Sequence, residues 1–209
     1  MACGLDGLAS PHRIKFRVPR EAGNQAEMGT TMDASDIDVL VIDKPEDGVF
    51  KVHADAYRSE EIFDLELKHI FEGGWVFLGL ACQAPGNHDF FTTFIGRQPV
   101  IISRDGDGEL HGLINACRHR GSLICHTAAG NAQVHVCPYH AWTYDSAGNN
   151  TGITTREQGA YSRQFEQEDH GLRRIPRFDR YRGFLFGSLN PNVPPLEAFL
   201  GDSRLFIDM

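Results

Sequence analysis

Two short segments, Cys117-Arg118-His119-Arg120-Gly121 and Cys137-Pro138-Tyr139-His140-Ala141-Trp142, each place one cysteine and one histidine where a strand-like run gives way to a turn. Two such loops facing each other can close around one small inorganic body, so the strands leading into them must deliver both turns to the same place. Two chemistries accept this donor set. Zinc takes two cysteines and two histidines tetrahedrally, but zinc fingers usually pair cysteine with cysteine in one loop and histidine with histidine in the other, unlike the spacing here. Iron–sulfur clusters are usually held by four cysteinates. In one subclass two histidines replace two cysteinates on one iron, which removes two negative charges and moves the potential to roughly −150 to +300 mV from about −400 mV.

Size and charge narrow the classes. A chain of 209 residues holds one domain and a second only if it is small. The net charge of −8 argues against nucleic acid, which needs a basic face. No run approaches the apolar length of a membrane span, and the beginning of the chain lacks the apolar core of a secretory signal. Beyond Cys117 and Cys137, Cys3, Cys82 and Cys125 are scattered without framework spacing, which suits a reducing cytoplasm rather than a disulfide scaffold. Cys125, although near the first loop, reads as a small buried apolar residue.

Along the chain, residues 1–48 are rich in Gly, Ala, Asp, Ser and Met without sustained periodicity and read as a mobile extension; Arg13, Lys15, Arg17 and Arg20 belong to it as a solvated basic stretch. Residues 49–74 form a helical segment. Within it Ile62, Phe63, Leu65, Leu67, Ile70 and Phe71 make one apolar side, Glu60 and Glu61 sit in the first turn, Lys68 and His69 in the last, and Gly73-Gly74 stop it. From Trp75 the pattern turns to strands over 76–81, 90–95, 100–104, 110–116, 133–137 and 184–189, with Asp105-Gly106-Asp107-Gly108 a hairpin turn and a further hairpin turning through Ser146-Ala147-Gly148-Asn149. The expected fold is mainly β: a compact antiparallel domain over 75–190, with 191–209, broken by Pro191, Pro194 and Pro195, leading away from it.

The CxH and CxxH spacing resembles the Rieske [2Fe–2S] motif. That resemblance implies that Cys117 and Cys137 hold an inner iron and His119 and His140 an outer, solvent-facing one. Rieske proteins of respiratory complexes carry an additional disulfide where this chain has Ser122 and Tyr139, and a serine that donates to cluster sulfur where it has Trp142. These departures imply the low-potential branch of oxygenases and their ferredoxins. Gly121 permits the turn, Trp142 and Tyr144 read as packing residues, and Arg118 and Arg120 offer positive charge to the reduced cluster and to an acidic donor.

Taken with Gly96-Arg97-Gln98-Pro99-Val100 and Tyr181-Arg182-Gly183-Phe184-Leu185-Phe186-Gly187, the two loops resemble the N-terminal Rieske part of the large (α) subunit of aromatic-ring-hydroxylating dioxygenases, within them the benzoate, anthranilate and salicylate group. The resemblance implies an enzyme system dependent on NADH and O₂. In it a reductase, in some members with a ferredoxin, feeds the cluster, and the cluster feeds a mononuclear Fe(II) in a catalytic domain expected beyond Met209. Neighbouring α subunits, possible β subunits and the aromatic substrate belong to that complete assembly. The other reading of the same residues is a self-contained Rieske carrier resembling a ferredoxin.

Overall fold

In the computed structural model, which describes residues 40–159 and 161–209, all strand pairing is antiparallel. The chain divides into two units, Met1–Ile62 and Phe63–Met209. In the first, β1 (Val41–Lys44) and β2 (Val49–Val52) pair with Val41 opposite Val52 and Lys44 opposite Val49. The turn between them, Pro45–Asp47, closes on Gly48, whose φ of +63° is open to glycine at little cost. No strand is expected before Trp75, so the hairpin is a correction: β1 falls at the end of the expected extension over 1–48 and β2 at the start of the expected helical segment over 49–74. Its strands are four residues long and almost wholly exposed, leaving no inward-outward alternation to read. Arg13, Lys15, Arg17 and Arg20 lie outside the described residues.

The expected helix forms over Glu60–Glu66, with Ser59 Oγ accepting the Ile62 N–H at 3.4 Å, and continues as a π-helical turn over Leu67–Phe71. The Glu72 N–H then closes on the Leu67 carbonyl at 2.7 Å.

In the second unit the strands are β3 (Val76–Leu80), β4 (Asp89–Ile95), β5 (Gln98–Arg104), β6 (Leu110–Ile114), β7 (Ala129–Asn131), β8 (Val134–Val136), β9 (Thr143–Asp145), β10 (Asn150–Gly152), β11 (Arg177–Tyr181) and β12 (Phe184–Ser188). They form three sheets in the orders β6-β5-β4-β7, β10-β9-β8 and β11-β12-β3. Strand β5 stands between two buried clusters. Its Val100, Ile101 and Ile102 are fully buried although neighbouring side chains on a strand point to opposite faces. Ile101 joins a cluster with Phe90, Leu113, Trp142 and Tyr144, while Val100 and Ile102 join another with Leu78, Phe91, Ile95 and Leu185. Each such aliphatic side chain contributes about 1.5–3 kcal/mol on burial, and the first cluster is the one that contains Cys117 and Cys137.

Strands β7 and β11 were not expected, because Ala129-Gly130-Asn131 and Arg177-Phe178-Asp179-Arg180-Tyr181 lack aliphatic runs. Pairing to β4 and to β12 supplies what their composition does not. The turn between β11 and β12 has Arg182 at φ +50° and Gly183 at φ +93°, the left-handed pair that a two-residue hairpin requires. Past the prolines the chain is helical again over Leu196–Leu200 and Arg204–Asp208, and Asp208 accepts from Tyr181 Oη and Arg182 Nε.

Candidate metal centre

One loop follows β6 and the other joins β8 to β9, and their backbones close alike. The Cys117 N–H donates to the Ser122 carbonyl and the Gly121 N–H returns to the Cys117 carbonyl, both at 2.8 Å. In the second loop the Cys137 N–H donates to Trp142 O at 2.8 Å and the Ala141 N–H returns to Cys137 O at 3.0 Å. Both reversals put the residue four after the cysteine in the left-handed region, Gly121 at φ +69° and Ala141 at φ +56°.

These loops bring the four sequence-identified residues together. Cys117 and Cys137 are buried, His140 is half-buried and His119 is exposed. The two imidazole rings meet edge to face with centroids 4.6 Å apart. A body held between them would have sulfur ligands inside and nitrogen ligands toward solvent. Among the described residues no three His, Cys, Asp or Glu side chains converge on a point where a single metal ion would sit. A thiol pair on one side and an imidazole pair on the other is the donor chemistry that a mixed cysteine–histidine [2Fe–2S] cluster takes.

The local electrostatics favour ligation. Burial pushes the Cys137 thiol up, but the N–H groups of Tyr139 and His140, helped by Cys117 and Ser122, outweigh it and bring the thiol below its ordinary range. For His119, desolvation first, then repulsion from the neighbouring His140 and Arg120, holds the imidazole below its ordinary value, which favours the neutral form that a metal ligand needs. His119 stacks on buried Trp142 at 5.1 Å with 10° between planes, and Trp142 in turn meets Phe165 and His170 edge-on. An open groove of about 550 Å³ runs past His119, Tyr139 and His140 to Thr154 and Tyr161.

Tyr144 does more than pack. It is fully buried, its hydroxyl accepts the Arg118 N–H at 3.1 Å, and it lies 3.2 Å from Cys117 Sγ. Either atom could donate in the bare protein, but burial pushes the ionisation of the phenol upward and keeps it protonated, so toward a metal-bound thiolate, which has no proton to give, the phenol would be the donor. Sequence reasoning missed this role, and the only local hint was a tyrosine two positions beyond Trp142. It also missed Asn115, whose buried amide accepts from the Ile124 and Cys125 N–H groups and donates to Cys125 O, holding the return path of the first loop.

Strand β8 is inverted relative to its apparent polarity. Val134 and Val136 are exposed while His135 is buried, with Nδ1 3.2 Å from Cys125 Sγ. Period-two alternation accounts for it: Cys137 must point inward, so residue 135 does too. Cys125 is buried as expected, and burial pushes its thiol up to about 11.

The Rieske [2Fe–2S] domain model matches residues 74–175. The chain is 42% identical to the toluate 1,2-dioxygenase α subunit of Pseudomonas putida over 83% of its own length and 38% of that protein. It is 42% identical to the anthranilate 1,2-dioxygenase large subunit of Acinetobacter baylyi over 79% of its own length and 35% of that protein. Among solved structures, naphthalene 1,2-dioxygenase from Rhodococcus sp. bound to indole superposes with a TM-score of 0.68 at 35% identity, covering 75% of this chain and 36% of that one. The chain thus spans little more than a third of the length of the curated relatives it matches.

Proposed function

The chain belongs to the Rieske [2Fe–2S] family through residues 74–175, and from that premise we propose that it is the electron-accepting portion of an aromatic-ring-hydroxylating dioxygenase α subunit. Cys117, His119, Cys137 and His140 are the proposed ligands, with residues 75–190 as the electron-carrying domain and 191–209 as the start of the connection to a catalytic domain. The observation that carries this reading is the pair of buried cysteines beneath two imidazoles whose rings lie 4.6 Å apart.

When bound, a cluster of this kind takes up and gives back one electron at modest potential. The residues of the chain do the rest. Cys117 and Cys137 keep the sulfur side dry, Tyr144 donates to Cys117 Sγ, Trp142 fixes the plane of the His119 ring, and both imidazole edges reach the surface, where an electron can leave.

In the complete assembly, the electron source would be a reductase drawing on NADH, with or without a ferredoxin, and the acceptor a mononuclear Fe(II) in a catalytic domain, which would supply the O₂ chemistry. Neighbouring α subunits, and in some assemblies a β subunit, are the expected partners. The substrate class is an aromatic carboxylic acid, supported by relatives named for toluate, anthranilate and 2-halobenzoate. The site of action is the cytoplasm, a reading supported by the cysteine pattern; no helix among the described residues is long and apolar enough to cross a membrane.

Anaerobic reconstitution with iron and sulfide tests the reading. Red-brown protein with a rhombic EPR signal after dithionite is the expected result, and well-folded protein without that signal would overturn it.

A further inference from the structure

We propose that a cavity beside the first loop, lined by Arg118, Arg173 and Arg174, is the socket for a surface carboxylate of an acidic electron-donor protein. The proposal rests on the cluster reading above and names where the donor docks. The cavity, of about 180 Å³, holds a carboxylate side chain but no folded partner or large cofactor, so its occupant is a projecting residue of something larger.

The charge of the lining runs against that of the chain. With a net charge of −8 overall, the cavity is lined by three arginines and one acidic residue, Asp169, whose Oδ1 already accepts the Gly171 N–H at 2.8 Å. Among the described residues the side chains of Arg118 and Arg173 have no ion pair or hydrogen bond. Arg174 is held in place: Nη1 donates to His111 Nδ1 at 2.7 Å and Nη2 to the Ala147 carbonyl at 3.2 Å. Since arginine can only donate, His111 Nδ1 is the acceptor, and its ring proton sits on Nε2, 2.6 Å from Asp105 Oδ2. An arginine oriented in advance loses less freedom on meeting a carboxylate and can bind it through two parallel N–H groups.

The backbone around the cavity is equally fixed. The Leu172 N–H donates to Gly148 O at 2.7 Å, and the Ile114 N–H at the end of β6 donates to Arg173 O at 2.8 Å. The cavity is one residue away from two of the proposed ligands. Arg118 lies between Cys117 and His119, and its N–H donates to the Tyr144 hydroxyl that donates to Cys117 Sγ. A carboxylate seated there brings its parent protein over the first loop, and attraction between unlike faces raises the encounter rate.

The test uses a plant-type [2Fe–2S] ferredoxin, an acidic one-electron donor protein, titrated calorimetrically into the reconstituted chain. The expected wild-type result is a Kd that weakens about ten-fold between low and moderately high salt. Arg173→Glu should weaken binding about ten-fold at low salt and flatten that dependence, Arg173→Lys should keep most of the affinity, and Arg180→Glu, an equal charge change outside the cavity, should cost less than about two-fold. Arg173→Glu should leave the EPR signal unchanged. Salt-independent binding, equal losses for Arg173→Glu and Arg180→Glu, or binding of free citrate without binding of ferredoxin would overturn the socket. A wild-type chain lacking the EPR signal overturns the cluster reading and the socket together, whereas a normal signal with salt-independent binding overturns the socket alone.

Discussion

Ala141 holds in the second loop the left-handed backbone that Gly121 holds in the first, at φ +56° and +69°, each closing an N–H onto the carbonyl of the cysteine four residues earlier. The two turns do the same job, but only one has the residue that does it without strain. A side chain in this region costs about 1–2 kcal/mol, partly offset by glycine's greater freedom when unfolded. Ala141→Gly should therefore raise stability by about 0.5–1 kcal/mol, or about 2–4 °C in Tm. Gly121→Ala, where an added Cβ meets nothing within 4 Å, should lower it by a similar amount through backbone strain alone. Thermal unfolding of the two variants reads both signs, and a fall in Tm for Ala141→Gly would contradict the equivalence of the loops.

Tyr144→Phe should lower the reduction potential of the reconstituted centre. The lost hydrogen bond favours the more negative, reduced state, and a differential of about 1 kcal/mol corresponds to a drop on the order of 40 mV for one electron. Voltammetry is the measurement, and a potential equal to that of wild type would mean that the 3.2 Å contact to Cys117 Sγ has no electronic consequence.

The proposed ligand set was legible in the sequence because each loop is local: cysteine and histidine lie within one turn of each other, and the turn residues flank them. The Tyr144 donor was not, since it reaches a sulfur 27 positions earlier and only the packing of β9 against the first loop brings them together. The same distinction explains the fold. Strands β4 and β5 announce themselves through Phe90, Phe91 and the Val100-Ile101-Ile102 run, whereas β7 and β11 become strands through the neighbours they pair with. In β8 the span was readable but the burial of its faces was not, because Cys137, rather than the two valines, decides which face is buried.

Exchanging a neutral ligand for a charged one should act in the same direction as losing the phenol. His140→Cys, where the centre still assembles, adds a negative charge to the ligand shell, which disfavours accepting an electron and shifts the potential toward the range of four-cysteinate clusters, about −400 mV. An unchanged or higher potential would count against the proposed ligand role of His140.

Trp142 supports His119 by stacking and fills the interior beside Phe165 and His170. Trp142→Ala should cost about 3–5 kcal/mol through the cavity it leaves, and Trp142→Phe much less. Denaturant unfolding gives the stability. The EPR linewidth of the reconstituted variants reports whether His119 has lost its fixed orientation, and equal broadening in both variants would show that the stack does not set the ring plane.

Acid should weaken the fold through Asp105. Its hydrogen bond with His111, together with the N–H groups of Glu109 and Asp107, holds the carboxyl below its ordinary value of 3.8. Asp89 is lowered likewise by Asn131 and the Gly86 N–H. A depressed folded value means that the unfolded chain takes up the proton first, so the stabilisation is fully present above the ordinary value and disappears as pH falls through the lower, folded one. Urea midpoints should hold steady from neutral pH down to about 5 as far as these two groups are concerned, then decline. Asp105→Asn should be less stable than wild type at neutral pH and should lose less on acidification. A variant whose acid decline parallels that of wild type would show that the pairing of Asp105 with His111 does not contribute to acid stability.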